Sequence, residues 1–221
     1  MSNTLYINGK WSSPVEGHTW DVISPADGRV VATVAEGTGA DVELAINAAR
    51  TAFDKGEFPN WGFEKRAALV SKIADLMERD LKILAKLESD DTGKRLVEAE
   101  YDIADVIACF RHFAEIGKKQ HEREVNVGMD HIDSRVVHEP VGVCTLIGPW
   151  NYPLLQVSWK VAPALVAGCT FIVKPAELTP STAIHLFKLI DEAGVPAGVA
   201  NLILGKGASD RKSTRLNSSH T

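Results

Sequence analysis

Cysteine is scarce in this chain and odd in number, with only Cys109, Cys144 and Cys169 among 221 residues. Their wide spacing excludes a disulfide framework and a thiolate metal cluster, and reads as reduced core thiols in a cytoplasmic protein. No apolar run approaches the length of a membrane span. The opening residues, Met1-Ser2-Asn3-Thr4, lack the basic and apolar regions of a secretory leader. Excess basic charge is missing too: the formal net charge is −5, which argues against a nucleic-acid or anionic-membrane binder. There is no G-x-G-x-x-G, no internal repeat and no low-complexity segment. His112, His121, His131 and His138 show no ligand spacing with one another, so no metal site is expected. A nucleophile is also wanting. Cys144 and Cys169 lie in or beside apolar strand-like runs and Cys109 on the buried stripe of a helix, settings that raise a thiol's pKa and make it inert.

What is present is an ordinary soluble composition, 45% apolar and 24% charged, with ample residues for a core. Only residues 210–221 stand apart. They have no apolar period and resemble a translated sequencing adapter, so they are set aside as a non-native tail. On that reading the native reading frame is interrupted rather than finished.

Asn8-Gly9 between short apolar runs signals a tight hairpin. Two further strands are expected at residues 22–24 and 30–34, joined by a turn at Asp27-Gly28. Thr38 opens a helix whose stripe is Val42, Ala45, Ile46, Ala49 and Phe53. One long helix is expected over residues 64–88 and another over 96–116, with Gly117 as its stop and Ile103, Val106, Ile107, Phe110 and Phe113 buried. The polar stretch from Lys118 suggests a protruding β-arm reaching His138. From Val141 the texture becomes strand, helix, strand, helix, strand over residues 141–147, 154–167, 170–173, 180–193 and 199–204. Such alternation implies right-handed crossovers and a parallel sheet, hence an α/β fold.

The most informative stretch is Gly148-Pro149-Trp150-Asn151-Tyr152-Pro153, at the junction of the first of these strands and its helix. The next strand ends in Lys174-Pro175-Ala176-Glu177. Two strand ends tipped with polar groups describe a cofactor site at the carboxyl edge of a parallel sheet. Asn151 offers a neutral amide donor suited to an oxyanion; it is equally suited to capping the helix. A carboxylate at Glu177 accepts both hydroxyls of a ribose and repels a 2′-phosphate, and Lys174 donates to the same sugar; the alternative is a solvated strand-end pair. Tyr152 and Trp159, seven residues apart, share a helix face. They are either core or part of an aromatic box for a quaternary ammonium. Gly205-Lys206-Gly207 offers a weak phosphate-loop signal.

These pieces together resemble the amino-terminal part of the aldehyde dehydrogenase superfamily. The likeness rests on the Asn8-Gly9 hairpin, Asp91-Thr92-Gly93-Lys94, Pro149-Trp150-Asn151-Tyr152-Pro153, Trp159-Lys160, the run 162–168, Lys174-Pro175-Ala176-Glu177 with Thr179-Pro180, and Gly194-Val195-Pro196. Within that family the chain is most similar to the betaine aldehyde dehydrogenases, through Glu139 to Cys144 and Asn151 to Lys160, with Gly148 a departure. The resemblance implies a partial, atypical Rossmann-like dinucleotide-binding domain over residues 1–122 and 141–209, with an oligomerisation β-arm at 123–140. It implies oxidation of an aldehyde to a carboxylic acid with NAD⁺, in a homodimer or homotetramer. Asn151 would stabilise the oxyanion and Lys160 would lie in the proton-relay region. Ile147, Pro149, Trp150, Lys174, Glu177 and Gly207 would hold NAD. Tyr152 and Trp159 would surround a trimethylammonium group. The family's catalytic cysteine and glutamate motifs lie beyond Ala208, so the chain as written is expected to be inactive, and to aggregate or remain partly disordered alone. The competing readings are another aldehyde dehydrogenase acting on a neutral or acidic aldehyde, and a non-catalytic nucleotide-binding or subunit-interaction module.

Overall fold

The structure, a computed structural model, describes residues 5–119, 123–129 and 131–206. The set-aside tail and Gly207 lie outside the described residues. Strands β1 (Leu5–Ile7) and β2 (Lys10–Ser12) form the expected hairpin. Its turn places Asn8 at φ 52° and Gly9 at φ 73°, the left-handed pair that a primed turn requires. Strands β3 (Thr19–Ile23) and β4 (Val30–Ala35) make a separate antiparallel ribbon. Helix α1 (Gly39–Lys55) follows, opened by Thr38 and a capping box in which Asp41 returns to the Thr38 N–H at 2.8 Å.

The single helix expected over 64–88 is two: α2 (Phe63–Arg79) and α3 (Leu81–Thr92). Asp80 makes the break, with its N–H closing α2 on Leu76 and its carbonyl opening α3 to Leu84. Its carboxylate is fixed by Arg79 and by His185, at 2.8 Å in each case. Helix α4 (Leu96–Lys119) runs through Gly117, which does not stop it. A Cβ at Gly117 would stand 2.9 Å from Val166 and 3.2 Å from Ala67, so the missing side chain lets three helices close up. Phe113 is only partly buried against the core. Two short strands, β5 (Arg123–Glu124) and β6 (Arg135–Val136), pair as an exposed arm.

The remaining elements are β7 (Val143–Ile147), α5 (Pro153–Ala167), β8 (Thr170–Lys174), α6 (Ser181–Ala193) and β9 (Ala200–Leu202). Strands β7, β8 and β9 are parallel neighbours, as expected, but the sheet is mixed: its order is β2-β1-β9-β8-β7, and β1 lies antiparallel to β9. Asn201, fully buried, fastens that junction by accepting the Asn8 N–H at 2.9 Å. The two crossovers run the same way along the sheet, which places α5 and α6 on one face. Helices α2 and α4 pack behind them, and α1 packs on β7, β8 and β9. The core between these layers holds Phe171, Val173, Phe187, Ile184, Leu154 and Leu165, all essentially buried.

Candidate active site

Parallel pairing sets the geometry of the site. Ile147 is in register with Lys174, so β7 and β8 end side by side, and the Gly148 N–H donates to the Lys174 carbonyl at 3.0 Å. The segment bearing Asn151 and the segment bearing Glu177 therefore leave the same edge of the sheet from adjacent strands. Ile147, Pro149, Trp150, Asn151 and Tyr152 are all exposed there.

Asn151 is not the helix cap. Tyr152 takes that place without a side-chain hydrogen bond, and Pro153 at the first helical position removes one N–H that would need a partner. Among the described residues the Asn151 amide makes no hydrogen bond. It is a donor held at a strand–helix junction and left unspent. Glu177 lines a cavity of about 230 Å³ with Trp20, Asp21, Val22, Ile23, Leu178 and Lys206. The Trp20 indole donates to the Glu177 carbonyl at 3.1 Å, tying the β3–β4 ribbon to this edge. Lys174 donates to the Gly205 carbonyl at 3.0 Å, so it braces the loop after β9. Lys160 donates at 2.9 Å to the Gln156 carbonyl of its own helix.

Tyr152 and Trp159 have different neighbours among the described residues. Trp159 is half exposed in a groove of about 570 Å³ between α4 and α5, with Asp105, Cys109, His112, Phe113 and Leu155. Tyr152 instead meets a cation from its own chain, the Lys94 ammonium, 4.7 Å from the ring centroid. Cys109 is half-buried rather than buried, and burial pushes its thiol up against the lowering pull of a Ser158 hydrogen bond. Burial, with the neighbouring Cys169 thiol, pushes Cys144 up to about 11. Both are thereby kept from being the thiolates that nucleophilic chemistry needs.

Three residues at this edge escaped the sequence pattern. Lys94 reaches the carboxylates of Glu88 (3.3 Å) and Asp102, and all three side chains are at least 85% buried. Glu88 is held above the ordinary carboxyl range, chiefly by burial, against the opposing pull of Lys94. Burial pulls the Lys94 ammonium down, but Asp102 and Glu88 outweigh it and its pKa is raised. The signal was the Asp91-Thr92-Gly93-Lys94 run, whose family likeness was legible while its contacts were not.

Residues 11–213 match the sequence profile described as the aldehyde dehydrogenase family. The chain belongs to that family. It is 48% identical over 209 residues to betaine aldehyde dehydrogenase of Bacillus subtilis, covering 95% of this chain and 43% of that protein. An aldehyde dehydrogenase of Emericella nidulans is 45% identical over 203 residues, covering 92% of this chain and 40% of the relative. Among solved structures, betaine aldehyde dehydrogenase from Staphylococcus aureus in complex with NAD⁺ superimposes with a TM-score of 0.91 at 44% identity, over 95% of this chain and 42% of that one. A point mutant of the same enzyme, also with NAD⁺, gives 0.93 at 43% identity, over 100% and 44%. The fold is thus that of the aldehyde dehydrogenases, and the chain spans less than half the length of these relatives.

Proposed function

We propose that this chain is the cofactor-side portion of an NAD-dependent aldehyde dehydrogenase that oxidises betaine aldehyde to glycine betaine. The observation that carries the reading is the pairing of Ile147 with Lys174, which sets an unspent amide and a ribose-competent carboxylate on neighbouring strand ends. In the complete enzyme a cysteine outside this chain attacks the aldehyde carbon, and the Asn151 amide donates to the oxygen as charge develops on it. The cofactor supplies the hydride acceptor. Glu177 and Lys174 hold the adenine ribose, and a carboxylate at that place disfavours a 2′-phosphate. Ile147, Pro149 and Trp150 face the cofactor as apolar wall, with Gly207 towards its adenosine end. Tyr152 and Trp159 offer aromatic faces to the trimethylammonium group, and Lys160 lies on the path by which protons leave. Residues 1–122 and 141–209 serve the cofactor, and 123–140 form the arm by which a homodimer or homotetramer assembles in the cytoplasm.

The test is a chimaera that joins residues 1–206 of this chain to the carboxy-terminal portion of the Bacillus subtilis relative. NADH formation from betaine aldehyde is expected, with kcat falling by about 10²–10³ in Asn151→Ala, the usual cost of one oxyanion donor. The 221-residue chain alone should give no turnover. An Asn151→Ala chimaera as fast as its parent, or turnover by the chain alone, overturns the reading.

A further inference from the structure

The Lys94 side chain joins the α3–α4 corner to the loop carrying Asn151. Its ammonium stands between the carboxylates of Glu88 and Asp102, 3.5 Å from the Asn151 carbonyl oxygen and 4.7 Å from the Tyr152 ring centroid. Its side chain is 13% exposed, and those of Glu88 and Asp102 are 0% and 15% exposed. Burying three charges in so small a space is costly, and a solvated lysine would serve stability as well. What the arrangement provides is rigidity. Two carboxylates on separate helices fix the ammonium, and the ammonium then bears on the carbonyl and the ring of two consecutive loop residues. The four residues between Gly148 and Pro153 are all exposed, so the loop has little packing of its own to hold it.

We infer that Lys94 is a positioning residue for the oxyanion donor, a strut that sets where the Asn151 amide points; this rests on the role proposed above for Asn151. A catalytic donor must be held to within a fraction of an ångström, and a displacement near 1 Å costs about 10²-fold in rate. Lys94 touches neither the reacting atoms nor the amide itself, so its effect passes through the Asn151 backbone.

Two experiments decide it. The Asn-Tyr dipeptide occurs once in the sequence, at 151–152, so carbonyl-¹³C asparagine with ¹⁵N tyrosine gives one correlation peak for the Asn151 carbonyl. In the 221-residue chain, Lys94→Met should move that carbonyl resonance upfield and Lys94→Arg should restore part of the shift. If Lys94→Met does not fold, Asp102→Asn, which loosens the clamp, should move the same peak in the same direction. An unmoved peak in a folded variant refutes the strut. In the chimaera, Lys94→Met should lower kcat by about 10–10² while KM for the aldehyde changes little. In an Asn151→Ala background the same change should cost less than about twofold, because the donor it positions is gone. Full additivity of the two losses refutes the inference. Absence of turnover in the parent chimaera would count against the proposed function alone, and the carbonyl shift would still decide the role of Lys94.

Discussion

Asp91 makes the fold's stability depend on pH in a direction opposite to the usual one for carboxylates. It lies in the last turn of α3, 4% exposed, and accepts the Ser181 N–H and the Ser181 hydroxyl, each at 2.8 Å. It thereby caps α6 from a distance, where Pro180 provides no side-chain cap. Burial pushes its carboxyl up to about 7, the Ser181 bonds opposing and the nearby Glu88 and Asp90 adding to the rise. A carboxyl raised on folding holds its proton more tightly in the folded state. Its contribution is complete below the unfolded value of about 3.9 and is lost as pH climbs towards 7. The slope is about 1.4 kcal/mol per pH unit, so about 2.5 kcal/mol should disappear between pH 5 and 7. Glu88, also raised, works in the same direction. Carboxylates held low by arginine or lysine, such as Asp80 at about 2 and Glu192 and Glu115, titrate below this window. Urea unfolding followed by tryptophan fluorescence at pH 5, 6 and 7 and constant ionic strength measures the slope. Asp91→Asn keeps an acceptor for the Ser181 N–H, and its NH₂ can donate to the Ser181 hydroxyl, so it should fold and lose most of the pH dependence. Stability that is flat or rising from pH 5 to 7 refutes the argument, as does an undiminished slope in Asp91→Asn.

Gly168 and Gly194 close α5 and α6 with the same φ of 85°, but their surroundings differ. A Cβ at Gly194 meets nothing within 4 Å, whereas one at Gly168 would stand 2.6 Å from Nη1 of Arg66, itself bonded to the Val166 and Pro59 carbonyls. Gly194→Ala should cost about 1 kcal/mol from the left-handed backbone alone, and Gly168→Ala at least about 1 kcal/mol more through the displaced arginine; equal urea midpoints for the two would show that Arg66 yields freely. Asn201→Leu strips partners from the Asn8 N–H and from the Phe171 and Gly198 carbonyls. It should cost about 2–4 kcal/mol and expose the β1–β2 hairpin to protease; a cost under about 1 kcal/mol with the hairpin still protected would mean that water replaces the amide.

Much of this architecture was legible because punctuation and period agreed. Asn8-Gly9, the Thr38 capping box and the glycines after α5 and α6 each demand a local conformation that the structure adopts. The misses share a cause. Asp80 interrupts a helix without glycine or proline, and one of the two side chains that hold its carboxylate, His185, is 105 positions away. Gly117 looks like a stop, yet the room it leaves is taken by Val166 of α5. Glu88, Lys94 and Asp102 carry no period or punctuation that marks them as a cluster, and the packing of α3, α4 and the Asn151 loop buries them. Contacts at long sequence separation decide the first two, and in the third the ion pairs are local while the cover over them, the Asn151 loop, is 57 positions away.

Local spacing left open at Asn151 a helix cap or a donor, and the structure excludes the cap, which has a cost. Asparagine is among the best capping residues, and forgoing such a cap gives up about 1 kcal/mol of helix stability. Here the cap position falls one residue later, on Tyr152, with no side-chain hydrogen bond, and Pro153 reduces the number of exposed N–H groups without replacing the cap. The same few residues carry a second expense, the buried Lys94 with its two carboxylates. Local rules broken together at one strand end, without a gain in packing to offset them, are the pattern that functional sites impose on folds. On the role proposed for Asn151, an amide released from structural duty and a cation buried beside its backbone answer one requirement, a neutral hydrogen-bond donor whose position must not relax when charge develops beside it.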